Sequence, residues 1–510
     1  MKRRISFFVL ALSAAAAFAD NENYDGQDVS GQDFNGMSLM DSTWVGSVAR
    51  DADFGKANLA NADFRNADLT KAFFSGTTLA GANFEGATVN KAVLNGVVAL
   101  GFTKEQFYST ASYKSGDLSG ILLWENDLGG WDFGGKNLTD MDFKDAVLTG
   151  ANFKDAIIAG VNFYGTISKG FTKEQLYSTA SYKAGDLSGV EFWYGDVSGW
   201  DFKGQNISGA NFVYSILTNA DFENAVINMA RFNNIDGDGL TKEQLYSTAS
   251  YKNKDLRGVN FGGINLSGWD FSGQNLVGAS LGLNGQAYNL NFTNADLRGT
   301  DLTIIVNVYY VVKNTIMYDG SIGNFSMKSA EDSFSIRKYE NMWPHEDTDA
   351  INAKIDWNES VTGGAKLTLE AGAMLDITDN ATLEFGDGGE LLVCVSEDDF
   401  TEINVESGAG LSFLEGSTLN VDVSGDFDGA DTFTFKIIGW ENGSRISGLD
   451  DFVMGENLFL MLNGEIFDGD WTYEVSSNDL SITFTVPEPA VFAMAIGTFA
   501  FGLAQWRRRL

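Results

Sequence analysis

A five-residue periodicity of large apolar residues constrains this chain more than any other feature. From Val29 a Phe, Leu, Trp or Val recurs at every fifth position, interrupted at Ala49, and a small residue often stands two positions before it. Neither a helical nor a two-residue period fits, so the chain must turn every five residues and bury its apolar ladder by stacking coils. The predicted inward positions include Phe54, Leu59, Phe64, Leu69, Phe74, Leu79, Phe84, Phe143, Leu148, Phe153, Phe212, Leu217 and Phe222.

The residues around these apolar positions carry a family signature. The run Ala57-Asn58-Leu59-Ala60-Asn61-Ala62-Asp63-Phe64 resembles the pentapeptide-repeat family. That resemblance implies a right-handed quadrilateral β-helix in which four pentapeptides form each square coil. Because the same ladder returns further along the chain, we expect an all-β fold with this β-helix over residues 20–302.

A second, longer repeat interrupts the first. The segment from Thr103 to Lys114 recurs almost verbatim from Thr172 and from Thr241. Each copy opens with Thr-x-x-Gln, the pattern of a helix capping box, flanked by an apolar pair placed as a hydrophobic staple. We therefore predict short helical inserts near 103–114, 172–183 and 241–252, packed against the coils because such short helices are marginal in water. Their tyrosines are interpreted as packing groups.

Each insert is followed by a Trp-Asp-Phe triplet that begins at Trp131, Trp200 or Trp269. These tryptophans fall on the inward position that alanine prefers. A narrow coil has little room for an indole there, so we expect the coil to distort and the tryptophans to bulge outward over the insert. The alternative is a shared surface on which the rings stack against sugars.

The C-terminal third has a different rhythm. Residues 303–362 give mixed signals and are interpreted as a capping or linker segment. From Leu367 onward, pairs of apolar residues two positions apart recur at a spacing of eight, which predicts short strands and tight turns. We expect a second β-rich domain over 363–485, either a solenoid or a sandwich, closed by a hairpin of Trp471 to Val475 and Leu480 to Phe484.

The two ends are predicted to be targeting segments. Residues 1–19 combine three basic residues and an apolar stretch, which is typical of a signal peptide. Residues 486–510 join a Pro-Glu-Pro tripeptide, an apolar stretch that could anchor in a membrane and an arginine cluster, and they resemble the PEP-CTERM sorting signal of Gram-negative bacteria. That resemblance implies cleavage by an exosortase and release to the cell surface or extracellular matrix. The residues concerned are Ala17, Ala19 and Asp20 at signal cleavage, and Val486, Pro487, Glu488, Pro489, Arg507, Arg508 and Arg509 in the sorting signal.

Composition excludes several chemistries. One histidine and one cysteine cannot supply a Cys/His zinc site, and 69 acidic against 34 basic residues argue against binding nucleic acid. His345 is expected on the surface, and Cys394 in an apolar strand as a buried, inert thiol. The run Asn234 to Gly239 begins like a calcium loop but has Leu245 where the bidentate Glu is required, so we favour a solvated turn. We expect no enzyme activity, cofactor or metal site.

Three hypotheses about function remain. The first is an exported, non-enzymatic protein of the cell envelope or matrix, processed by an exosortase-type enzyme. The second is an extracellular β-helix protein that binds or degrades polysaccharide, since elongated solenoids offer suitable surfaces. The third is an acidic mimic of DNA that binds gyrase, against which the signal peptide argues because gyrase is cytoplasmic.

Overall fold

The computed structural model describes two compact units, Met1–Lys252 and Asn253–Leu510, with gaps. The boundary falls inside the predicted repeat array. The predicted signal peptide and sorting signal both lie outside the described residues. No helix in the described portion is long and apolar enough to cross a membrane. The described residues are 21–233, 239–282, 288–301, 309–311, 313–323, 333–336, 353–355, 359–362, 365–371, 373–378, 381–386, 388–396, 401–406, 409–414, 417–424, 432–440, 445–447, 458–462, 465–466, 471–475 and 479–485.

The first unit is built from stacked five-residue steps. Asn23 pairs in parallel with Thr43, and Thr43 with Asp63, so one coil takes 20 residues and contains four such steps. Within a step, the residue two positions before the apolar one closes the previous turn, as when Ala57 N donates to Phe54 O at 3.0 Å. Each turn needs a residue with positive φ, here Asn61 at 58°, which explains the Asn, Asp and Gly that fill this position.

The apolar ladder forms the core of the coils. All thirteen inward residues named above are buried. Phe54 and Phe74, which occupy the same position of successive coils, stack with ring centroids 5.0 Å apart and an interplanar angle of 14°. Phe64 and Phe84 stack in the same way on another side, at 5.2 Å. Inward residues separated by one coil thus form continuous aromatic stacks.

The helical inserts are each two short helices rather than the single helix expected. A capping box starts the first helix, as predicted, at Thr103, Thr172 and Thr241. The chain becomes extended at Thr110, Thr179 and Thr248 before the second helix starts. A coil that holds an insert takes 29 residues, because Val93 pairs with Leu122. The helices are α1 Lys104–Ser109, α2 Ala111–Ser115, α3 Lys173–Ser178, α4 Ala180–Ala184, α5 Lys242–Ser247 and α6 Ala249–Lys252, with 3-10 turns at Val98–Leu100 and Ile167–Lys169.

The second unit begins with further five-residue steps, in which Asp255 pairs with Asn275 and Asn275 with Asp296. The last described step of this ladder pairs Asp296 with Ile316. The strands that accompany it are β1 Tyr288–Asn291, β2 Tyr309–Val311, β3 Thr315–Ile316 and β4 Ile322–Gly323.

A larger parallel solenoid follows in the same unit. Its strands fall into three sheets, and each coil contributes one strand to each sheet, with Glu390 beside Lys366 and Thr418 in register. The parallel pairing identifies a solenoid rather than a sandwich. It begins at Ser333, within the segment predicted to be a linker. The parallel strands are β5 Ser333–Ile336, β6 Ala353–Ile355, β7 Glu359–Val361, β8 Lys366–Leu369, β9 Met374–Ile377, β10 Thr382–Phe385, β11 Glu390–Ser396, β12 Glu402–Val405, β13 Gly410–Phe413, β14 Thr418–Ser424, β15 Thr432–Trp440, β16 Arg445–Ser447 and β17 Leu458–Leu462.

Antiparallel strands complete the solenoid. β18 Glu465–Ile466 turns back on β17, while β19 Trp471–Val475 and β20 Asp479–Thr485 form the predicted closing hairpin. β20 also pairs with β15 in antiparallel orientation. The alternating pattern places Leu367, Leu375 and Leu383 in the core. Strand alternation thus accounts for the apolar pairs of the sequence.

Candidate functional site

The side of each insert that faces the preceding coil takes the place of part of a coil. In the first copy, Gln106 Oε1 accepts from Thr103 N at 2.6 Å and closes the capping box. Gln106 Nε2 then donates to the carbonyl oxygens of Leu79 and Ala82 at 2.9 and 2.6 Å. Ser112 Oγ accepts from Val89 N at 2.9 Å. The insert therefore satisfies backbone groups of the preceding coil that another five-residue step would otherwise have bound.

The side of the insert that faces the following coil also hydrogen-bonds to backbone, through two tyrosines. Tyr108 Oη accepts the backbone N–H of Asp132 at 2.6 Å, and Tyr113 Oη donates to the Asp132 carbonyl oxygen at 2.9 Å. The two rings stack at 4.4 Å. In the second copy Tyr177 and Tyr182 bind the backbone of Asp201 in the same way, at 2.6 and 3.0 Å.

The sequence predicts these tyrosines only as packing groups. It does not indicate that their hydroxyls bind the backbone of the following coil. Tyrosine and aspartate are 24 residues apart in both copies, but every pair of residues keeps its offset in a repeated segment, so the sequence carries no signal of this contact. The inserts are structural parts of the ladder, since both of their sides hydrogen-bond to it.

The three tryptophans do not form a ligand surface. Trp131, Trp200 and Trp269 are only 4%, 6% and 5% exposed, which leaves no ring face for a sugar. The expected distortion of the coil is also wrong, because Trp131 N keeps its turn bond to Leu128 O at 3.0 Å and Asp132 keeps its parallel bridge to Asn152. The indole fits because the insert stands in the layer beside it, and its ring lies 5.5 Å from that of Phe107.

The half-buried tyrosines of the inserts should titrate late. Burial raises the pKa of Tyr113 to about 12, with a smaller contribution from the charge of Asp132. Burial and the charge of Asp201 raise the pKa of Tyr182 to about 12 in the same way. The pKa in the folded state lies above the ordinary value of about 10, so the stabilisation is complete below about pH 10 and is lost as pH rises towards 12. Ultraviolet titration should show a late tyrosinate step whose amplitude falls in the variant Tyr113→Phe/Tyr182→Phe. Tyr318→Phe, which removes an exposed tyrosine, must leave that step intact.

The acidic side chains of the repeats serve the turns. Asp53 Oδ1 accepts from Gly55 N at 2.8 Å, and Asp63 Oδ1 from Arg65 N at 3.1 Å. Asp132 Oδ1 accepts from Gly134 N at 2.9 Å. A short carboxylate that binds the backbone two residues on is the usual device of such turns. Within the described ranges, no group of three or more His, Cys, Asp or Glu residues could hold a metal ion.

The remaining candidate residues form no assembled site. Cys394 lies in β11 but on its outward side, beside Asp422 of β14, so it is half-buried rather than part of the core. Burial, followed by the charges of Asp422 and Glu370, raises the pKa of its thiol to about 11. His345 and residues 234–238 of the calcium-like run lie outside the described residues.

The raised pKa predicts a slow thiol. Because the thiolate is the reactive form, Cys394 should be alkylated by iodoacetamide at pH 8 far more slowly than free cysteine. The rate should rise as pH approaches 11 and should reach the rate of free cysteine once the chain is unfolded in denaturant. Rapid alkylation of the native protein at pH 8 would contradict the assignment. Mass spectrometry of timed aliquots measures the rate.

Stacked coils with a five-residue step define a class of solenoid repeat proteins, and the comparisons agree. The family model "Pentapeptide repeats" matches eight copies in residues 57–96, 132–167, 186–236 and 255–282. The chain therefore contains pentapeptide repeats. No curated protein matches it.

Several solved structures are similar. HetL of the cyanobacterium Nostoc sp. strain PCC 7120, a pentapeptide repeat protein involved in heterocyst differentiation regulation, is 18% identical, with 59% of this chain and 94% of that one covered and a TM-score of 0.15. A pentapeptide repeat protein from the thylakoid lumen of Arabidopsis thaliana is 27% identical over 26% of this chain and 69% of its own, with a TM-score of 0.12. QnrB1, a plasmid-mediated fluoroquinolone resistance protein, is 14% identical over 57% and 93%, with a TM-score of 0.12. None of these matches indicates an enzyme family.

Proposed function

We propose that this protein is an exported, non-enzymatic structural or interaction protein of the cell envelope or extracellular matrix of a Gram-negative-type bacterium. The observation that carries the proposal is the use of the repeat side chains: the aspartates bind the backbone of their own turns, while the insert glutamines and tyrosines bind the backbone of the neighbouring coils. Such a chain builds a scaffold with a regular exterior. We further propose that the five-residue coils wind as a right-handed quadrilateral β-helix.

Export and sorting rest on the two ends of the sequence. The basic and apolar residues 1–19 support a signal peptide, and Pro487-Glu488-Pro489 with Arg507 to Arg509 supports an exosortase-processed signal with a transient membrane anchor. A net charge of −35 keeps a released protein of this kind soluble.

Intact-mass analysis of the protein from washed cells and from culture medium tests this proposal. The expected species lacks residues 1–19 and is cut near Pro487. A released species is expected in the medium or surface fraction, and deletion of Arg507 to Arg509 should trap the protein in the membrane fraction. A mature protein that keeps its arginine tail would instead be a plain membrane protein. A full-length chain in the cytoplasm would contradict export altogether.

Polysaccharide binding is the second candidate function. Its original support, the three tryptophans, is removed by their burial. A different group of aromatic residues, exposed on the first unit, favours it instead.

A further inference from the structure

One side of the first unit carries a group of exposed and half-buried aromatic residues, which we call the aromatic face. Its members follow inward residues at the same corner of four coils, which the parallel bridges from Leu122 through Asp142, Asn162 and Glu191 to Asn211 connect. The coil of Asp142 holds Lys144 at this corner, with Nζ 5.2 Å from the centre of the Tyr164 ring. Most of the corresponding corners elsewhere hold Asn, Asp, Lys or Gly. The residues of the aromatic face are Trp124, Tyr164, Trp193, Tyr194 and Tyr214.

Two of these tyrosines are the most exposed part of the face. Tyr194 and Tyr214 are 60% and 36% exposed, and their rings stack at 4.9 Å with an interplanar angle of 21°. Tyr164 meets Tyr194 edge-on at 5.9 Å and Trp193 edge-on at 6.3 Å. Exposed single aromatic residues are common, but a contiguous group of four, of which Tyr194 and Tyr214 are exposed and Tyr164 and Trp193 half-buried, indicates binding.

The backbone under the two tyrosines is strained. Tyr194 has φ of 53° and Tyr214 of 55°, in the left-handed region that a bulky side chain avoids. The same turn position holds Asn219 and Asn224 in other steps. Positive φ is the ordinary state of this turn position, which Lys56, Glu125 and Met229 also adopt, so the strain alone does not mark a site. It does make asparagine a better-suited residue than tyrosine at both positions.

Polar side chains accompany the rings. Asp142, Asn162, Glu191 and Asn211 occupy successive positions of the ladder that leads to the aromatic residues. Burial is the main cause that raises the pKa of both Asp142 and Glu191, so these carboxyl groups are already partly withdrawn from water. Trp193 Nε1 is buried and has no hydrogen-bond partner within the part of the chain that the structure describes. Asn211 is buried and its Oδ1 accepts from Val213 N at 3.1 Å, so the half-buried carboxyl groups of Asp142 and Glu191 are the polar groups that the face presents.

We propose that the aromatic face binds a neutral saccharide chain. The C–H groups on the faces of sugar rings suit the electron-rich faces of Tyr194 and Tyr214, while sugar hydroxyls can donate to the half-buried carboxyl groups of Asp142 and Glu191. A net charge of −35 repels acidic polymers and nucleic acid, which leaves an uncharged ligand as the best match. Tyr164, Tyr194 and Tyr214 stand on three consecutive coils about 4.8 Å apart, so their rings follow one another along the unit, as a chain of sugars requires.

The inference rests on the proposed role as an interaction protein but not on export. Intact mass tests export, and binding of the purified full chain tests the face, so the two proposals can fail separately. The probes are soluble neutral β-glucan and galactomannan, cast into native gels, and insoluble cellulose for pull-down.

The decisive variant is Tyr194→Asn/Tyr214→Asn. Asparagine suits the left-handed turn, so the fold and its Tm should be retained or improved. We expect retardation of the wild-type chain in at least one neutral gel and at least about tenfold weaker binding by the variant, since each ring contributes a stacking contact. Tyr194→Phe/Tyr214→Phe keeps the rings and should keep most of the binding.

The matched control is Tyr318→Asn, which removes a 52% exposed tyrosine from the second unit. It should bind like the wild type. Wild-type protein that binds none of the three probes would overturn the inference, as would binding that the asparagine variant leaves unchanged or that the control loses equally. Capture of a protein partner through Tyr194 and Tyr214, with no affinity for saccharide, would assign the face to that partner and also overturn it.

Discussion

Replacing Phe74 by alanine should lower the free energy of unfolding of the first unit by about 3–5 kcal/mol, as is typical of a fully buried phenylalanine. Phe74 is 0% exposed and stacks on Phe54 at 5.0 Å, with Phe64 and Phe84 edge-on at 5.9 and 6.1 Å. Truncation would leave a cavity in two coils at once, and in a solenoid each coil depends on its neighbours. Denaturant unfolding monitored by circular dichroism measures the change.

The neighbouring residue provides the control. Phe73 precedes Phe74 in the chain but points outward and is 38% exposed. The same Phe→Ala change there should alter the unfolding free energy by about 0.5 kcal/mol or less, as is usual at exposed positions. Equal effects at the two positions would contradict the inward and outward alternation of the repeat.

Replacing Arg298 by methionine should destabilise the second unit by about 3–5 kcal/mol. Arg298 and Asp296 are 0% and 1% exposed at their side chains, and Nη2 lies 2.7 Å from Oδ2. Nε adds a second bond to Oδ1 at 3.0 Å. The large effect arises because the variant leaves the Asp296 carboxylate buried without its counter-charge. Hydrogen exchange around β3 would locate the loss, since Asp296 bridges to Ile316.

The chain contains a close match for this pair on its surface. Arg65 binds Asp63 two residues before it with the same atoms, Nη2 to Oδ2 at 2.7 Å and Nε to Oδ1 at 3.0 Å, but Arg65 is 49% exposed. Arg65→Met should therefore change stability far less than Arg298→Met, because water solvates the carboxylate that remains. Equal losses of unfolding free energy in the two variants would contradict burial as the cause of the large effect at Arg298.

Much of the repeat architecture could be predicted from the sequence because its causes are local. The inward position of Phe54 or Leu59 follows from a five-residue period, and the helix start at Thr103 follows from a capping box that needs only Gln106. The break at Thr110 was missed, since its side chain caps a second helix that no periodicity announces. The start of the larger solenoid was missed as well, because β5 is short and its pairing with β8 is visible only in three dimensions.

The sequence by itself determined the step of the coil, the inward ladder and the places where the ladder is interrupted, because each depends on residues within a few positions. Only the tertiary structure decided that Tyr108 and Tyr113 complete the backbone bonding of Asp132, that Trp131 is buried and that Tyr194 and Tyr214 stack in solvent. The physical reason is the stacking of coils. It brings together residues 20 positions apart along the chain, or 29 where an insert intervenes, and such contacts leave no local pattern.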